Sequence, residues 1–143
     1  NIIVSTCWCQ METNRTRDNP VILMQCVLVD TCGWVAVIEA NLNIDKSLIE
    51  CAGINQLAIL PRVLEELEAI EGVNLMLPML RKKSIVLDTP NNSGKHTDDQ
   101  LFVVASENKF PILTVDTELK RRLSKANLPW IEVIGGTHLR YVR

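Results

Sequence analysis

The sequence predicts an α/β fold in which a mostly parallel sheet is covered by helices on both faces. Two observations carry that prediction. Short, continuous apolar runs of strand length alternate with longer stretches of helical period, which is the pattern of strands buried on both sides and joined by helical crossovers. Two of those runs also end alike, in Val-Asp-Thr, at VLVDTC (27–32) and ILTVDT (112–117). A charge that closes an apolar strand belongs at the carboxyl end of a parallel sheet, where open α/β sheets bind their ligands.

The elements follow in order. Residues 1–20 stand apart: METNRTRDNP is polar and ends in the turn signal Asn19-Pro20. They are expected to be a peripheral leader ahead of a domain spanning 21–143. Within them IIVSTCWC has the character of a short edge strand, and Met24 stands as an alternative start just before the domain pattern. Strands are expected at 26–30, 56–60 (QLAIL), 84–87 (SIVL), 111–115 (PILTV) and 130–134 (WIEVI). Helices are expected near 34–51, 61–71, 74–82, 98–108 and 117–126. The stretch TPNNSGK (89–95) reads as a flexible loop.

A chain of 143 residues is the size of one domain that buries roughly two-thirds of its extended surface. Its apolar fraction, 47%, excludes a disordered chain. Net charge is −2, but residues 117–143 carry six basic and two acidic residues against nine and fifteen before them. That basic end either touches phosphate or is a solvated helix face. The cysteines (Cys7, Cys9, Cys26, Cys32, Cys51) are odd in number and form no CxxC pair, which argues against a disulfide framework and for thiols kept reduced in a cytoplasm. With only two histidines, a zinc site is not expected. The longest apolar run, Val21 to Val29, is too short to span a bilayer and is broken by Gln25. No basic segment leads into an apolar one at the start, so no signal peptide is expected.

Four acids stand out. Asp30 and Asp116 end strands and are equally good N-caps for the helices that follow. In KHTDDQLFVVAS, Thr97 and Gln100 match a capping box, which places Asp98 and Asp99 in the first turn, where the helix dipole favours acids. At about 100° per residue, Phe102 and Ala105 fall within about 40° of Asp98, so Asp98 leans toward the sheet and Asp99 points sideways. In PRVLEELEAIE the apolar face is Val63, Leu64, Leu67 and Ile70. Glu65 and Glu68 point off it, whereas Glu66 lies at its boundary. Glu66 either snorkels at a rim or faces something positive. Clustered carboxylates repel one another unless a cation sits among them, and hard divalent cations prefer oxygen ligands.

These motifs, VLVDTC (27–32), ILPRVLEEL (59–67), HTDDQL (96–101) and ILTVDTELKRRL (112–123), together resemble the PIN-domain family of metal-dependent nucleases. The resemblance covers residues 26 to 135. The double aspartate and the GGTHLRYV ending are similar to a small archaeal branch allied to ribosomal-RNA-processing nucleases. The resemblance implies a three-layer α/β/α fold, catalytic and metal-coordinating roles for Asp30, Glu66, Asp98 and Asp116, and a second-sphere or additional ligand role for Asp99. It also implies supporting roles for Thr31 and Thr114. Cys32, Val115 and Thr97 depart from the residues more usual there, without removing a ligand.

The function that follows is a Mg²⁺- or Mn²⁺-dependent endoribonuclease leaving a 5′-phosphate and a 3′-hydroxyl. No histidine or lysine base is then required. Lys95 and His96 in the loop, and Lys120, Arg121, Arg122 and Lys125 on the last helix, either contact RNA phosphates or are simply solvated. The aromatics number six, most at core positions, so stacking capacity for bases is small. Two alternatives stay open: a toxin ribonuclease held by an antitoxin, and a non-catalytic RNA-binding or ribosome-assembly module. The sequence leaves the oligomeric state open; a homodimer is suggested only by analogy with small PIN proteins. A nucleotide-binding protein of the doubly wound class would need a Gly-rich turn after the first strand, and DTCGW offers one glycine.

Overall fold

A computed structural model of the chain describes residues 25–70 and 77–143. The leader 1–20, Met24 and the start of the helix expected at 74–82 lie outside the described residues. The elements are β1 (Val27–Val29), α1 (Thr31–Glu39), α2 (Ile44–Ala52), β2 (Leu57–Ile59), α3 (Pro61–Glu68), α4 (Leu77–Lys83) and β3 (Ser84–Val86). There follow α5 (Thr97–Asn108), β4 (Ile112–Leu113), α6 (Thr117–Lys125), β5 (Trp130–Ile134) and β6 (His138–Val142).

The sheet order is β3-β2-β1-β4-β5-β6, parallel throughout except for the final antiparallel pair. In register, Val27 lies beside Leu57 and Leu28 beside both Ala58 and Ile112. The chain first steps outward on one side of β1, through β2 and β3, and then returns to build β4 and β5 on the other. Right-handed crossovers in the two directions put α1 to α4 on one face and α5 and α6 on the opposite face. The result is the expected three-layer α/β/α fold. The core is fully buried aliphatic material from β1, β2 and β4, with Trp34, Leu67, Leu101 and Leu123 packed on it from the helices. The direction of the connections reverses between β1 and β4, so a crevice opens at their carboxyl ends.

The expected strands are all present: 130–134 is matched in full, 111–115 shortens to Ile112–Leu113, and the others lose one or two residues. Two differences have plain causes. The helix expected across 34–51 is two helices: Asn41 takes a left-handed φ of 54°, and the Asn43 side chain accepts from the Lys46 amide to start α2. A helix cannot run through such a pair. The strand β6 was not among the expectations. It folds back through Gly135 and Gly136, both at positive φ, where a side chain would be strained. Glu132 on β5 is buried and fastens this hairpin to α6, accepting from Trp130 Nε1 at 2.8 Å, Lys120 Nζ at 3.1 Å and an Arg140 guanidinium nitrogen at 2.5 Å.

Gly33 in the first turn of α1 has a different task. A Cβ there would lie 2.1 Å from the Leu113 carbonyl oxygen, so only glycine lets α1 start directly against the end of β4. That close approach holds Asp30 beside the residues that follow β4.

Candidate active site at the carboxyl edge of the sheet

Asp30 follows β1 and caps α1: its Oδ1 accepts from the Thr31 amide at 2.8 Å. Its Oδ2 accepts from the Thr114 hydroxyl at 2.7 Å and lies 3.2 Å from the Cys32 thiol, which donates to it. The carboxylate is 5% exposed. Thr114, fully buried, also accepts from the Asp116 amide at 3.1 Å. Asp116 in turn caps α6 through Oδ1, which accepts from Leu119 N at 3.0 Å. One hydroxyl therefore ties together the acids that end β1 and follow β4. Each cap uses Oδ1 alone; Oδ2 of Asp30 is in addition held by Thr114 and Cys32.

Glu66 turns toward the same place. Its Oε1 accepts from Thr31 Oγ1 at 2.5 Å and its Oε2 from Thr97 Oγ1 at 2.5 Å. The capping box expected at Thr97 is absent for that reason. His96 is the N-cap of α5 and makes no side-chain cap bond, while the Thr97 hydroxyl is spent on Glu66. Gln100 instead donates to the Gly94 carbonyl at 3.1 Å, and Ser93 donates to the Pro90 carbonyl at 2.7 Å. The 89–95 loop is thereby pinned at two points.

A cavity of about 650 Å³ gathers these groups. Asp30, Glu66, Asp98 and Asp116, carried by four separate connections, all line it, with Glu39 further along. Among the described residues, His96 is the one basic-type side chain on its wall, and no lysine or arginine lines it. Asp98 is held above its ordinary pKa, first by burial and then by the charges of Asp30 and Asp116, against a smaller opposing pull from Arg122. Asp30 is raised too, by burial above all, despite its hydrogen bonds from Thr114, Cys32 and Thr31. The Cys32 thiol is pushed up to about 11, by burial and then by the charge of Asp30, so it is neutral at ordinary pH and serves as a donor.

The remaining candidates fall elsewhere. Asp99 pairs with Arg122 at 2.9 Å and is not on the cavity wall. Arg122 also lies over the Phe102 ring, 4.8 Å from its centroid. Lys120 is engaged by Glu132, and Arg121 pairs with Glu118. Lys125 and Lys95 are exposed.

Among the described residues, no three His, Cys, Asp or Glu side chains stand close enough to form a ready-made metal cage. The donor set nonetheless fits a hard cation. The carboxyl donors are all oxygens, two of these groups are penalised for being ionised, and among the described residues no lysine or arginine lines the cavity to relieve them. A Mg²⁺-type ion keeps several waters and takes only one or two carboxylates directly, so a spread of acids around a wet cavity suits it. Sequence reasoning placed all four acids here. It missed Thr97 as the second clamp on Glu66, because that contact joins residues 31 apart in sequence.

This architecture matches a solved structure described as the PIN domain endonuclease Utp24, with a TM-score of 0.70 and 21% identity over 81% of this chain and 90% of that one. The chain has a PIN-domain fold. A second, looser match is VapC20 of Mycobacterium tuberculosis, described as a sarcin-ricin loop cleaving toxin, with a TM-score of 0.47 and 13% identity over 67% of this chain and 94% of that one. No family model and no curated protein matches the chain. In this PIN fold the carboxyl rim of the sheet carries the acidic cavity, at the point where the strand order reverses.

Proposed function

We propose that the chain is a divalent-cation-dependent endoribonuclease acting in the processing of ribosomal or other structured RNA. The observation that supports it is the convergence of Asp30, Glu66, Asp98 and Asp116 on one cavity that, among the described residues, no lysine or arginine lines. The likeness to an endonuclease of the same fold agrees with it, and the double aspartate at 98–99 and the GGTHLRYV ending favour RNA maturation. Mg²⁺ or Mn²⁺ bound among these acids would supply Lewis acidity toward the scissile phosphate and lower the pKa of a bound water.

The chain's own residues do the rest. Thr114 fixes Asp30 Oδ2 and the Asp116 backbone in one register. Thr31 and Thr97 hold both Glu66 oxygens toward the cavity, so that the carboxylate enters the reaction with little freedom left to lose. Asp98, already disposed to bind a proton, is placed to exchange one with water in the cavity. Hydrolysis adds the water oxygen to phosphorus, breaks the bond to the 3′ oxygen, and passes a proton to that oxygen. The products are a 5′-phosphate and a 3′-hydroxyl.

Flanking phosphates would meet Lys95, Lys125 and Arg121. The Arg121–Glu118 pair is exposed on both sides and exchanges partners at little cost. Lys120 and Arg122 are occupied in the fold and contribute less. Cleavage of a structured RNA with Mn²⁺ should fall by at least about 100-fold in Asp30→Asn and in Glu66→Gln. Equal cleavage by the wild type and both variants would mean that the activity comes from elsewhere.

A further inference from the structure

The cavity continues past its acidic rim. α1 turns Thr31, Cys32, Val35, Ala36 and Glu39 toward it, the stripe that one face of a helix makes. The stripe is polar beside Asp30, aliphatic in the middle, and ends in a carboxylate. The chain leaving α3 repeats the change of character, since Ile70, four residues beyond Glu66, lines the same cavity. Val35, Ala36 and Ile70 are half-buried and form an apolar ledge next to the acids. Glu39 stands exposed at its far end, roughly 12 Å along the helix from Thr31 by its rise per residue. A nucleotide whose phosphate sits at the rim lays its base across such a ledge.

Among the described residues, nothing gives Glu39 a structural role of its own. It occupies the last turn of α1, where the exposed carbonyl end of the helix disfavours negative charge. That turn holds no basic residue, and the Glu39 carboxylate makes no hydrogen bond or ion pair with a described residue. A lone carboxylate beside an apolar surface distinguishes bases by their donors. The Watson–Crick edge of guanine offers N1–H and an N2 amino hydrogen side by side, and both fit one carboxylate. Adenine and cytosine offer one amino group next to a ring nitrogen that repels it. Uracil offers a single N–H between two carbonyls.

We infer that Glu39, with the ledge of Val35, Ala36 and Ile70, forms a subsite for an unpaired guanine next to the cleaved bond. The position of that bond rests on the nuclease reading; the subsite itself does not. Two measurements test it. Matched single-stranded RNAs carrying guanosine or inosine at each position in turn are cleaved with Mg²⁺. Inosine lacks only the N2 amino group, so one fixed position should prefer guanosine by about tenfold. Glu39→Ala and Glu39→Gln should bring that ratio close to one. The same oligonucleotides are then titrated by fluorescence anisotropy with Ca²⁺ in place of Mg²⁺, which needs no cleavage and should give the same preference and the same loss.

A wild-type ratio near one at every position, an unchanged ratio in Glu39→Ala, or no binding of either RNA overturns the subsite. Cleavage without base preference overturns it while the nuclease reading stands. Base preference in the titration without cleavage upholds the subsite and sinks the nuclease reading.

Discussion

Thr114 shows how much one hydroxyl can settle. It donates to Asp30 and accepts from the backbone of Asp116, so both acids take their positions from the same atom. Thr114→Val keeps the shape and removes both bonds. Groups that orient a metal ligand from behind typically contribute about 10–100-fold in metal affinity or activity. A loss of that size is expected in Mn²⁺ titration and in cleavage, with Thr114→Ser recovering most of it. The buried Asp30 oxygen, left with the weaker Cys32 thiol as donor, should also lower stability by about 1–3 kcal/mol in urea unfolding. Asp30, Asp98 and Asp116 were legible in the sequence because strand ends and helix starts announce themselves by pattern, and Glu66 because it stands at the edge of an apolar helix face. Thr97 was not. Its spacing to Gln100 suggested a cap, and the competing acceptor, Glu66, becomes visible only when α3 and α5 are brought together.

At the scale of elements, the parallel strands and most helices could be read from their periods, since aliphatic runs as short as those of β1, β2 and β4 have few other uses. The break between α1 and α2 was marked by Asn41 and Asn43 and was outweighed by the apolar residues on either side. The hairpin of β5 and β6 was signalled by Gly135-Gly136, but in β6 only Leu139 is buried and Tyr141 and Val142 are both half-buried, which blurs its alternation. Least legible of all was Gly33. Nothing local explains a glycine in the first turn of a helix; the explanation is the Leu113 carbonyl, 2.1 Å from where its Cβ would be. Gly33→Ala should destabilise the protein by about 1–3 kcal/mol or more in thermal or chemical unfolding. Because the clash pushes α1 away from β4, it should also weaken the Thr114–Asp30 contact, seen as weaker Mn²⁺ binding at temperatures where the variant is still folded.

For the molecule as a whole, the acidic cavity is a cost until something positive enters it. Asp98 binds protons more readily in the folded protein than in the unfolded chain, so its contribution is favourable when it is protonated and is lost as pH rises through its raised folded value. Glu132 works in the opposite sense. Burial would raise it, but hydrogen bonds from Trp130, Lys120 and Arg140 prevail and lower it, so its contribution is present above the ordinary glutamate range and is lost in acid. With EDTA at neutral pH, Asp98→Asn is therefore expected to melt about 2–5 °C above the wild type. That gain should shrink toward pH 4 as the wild-type carboxyl takes up its proton. Adding Mn²⁺ should raise the wild-type melting temperature with concentration and the variant's less; a variant that melts lower than the wild type in EDTA would contradict the charge argument. The contact between Thr114 and Asp30 has one more consequence, since it joins residues 84 positions apart. A nascent polypeptide has Asp30 and Glu66 clear of the ribosome well before the segment around residue 114 has been made. The four acids that line the cavity therefore come together only after residue 116 has been made, and no fragment that stops short of it carries them all.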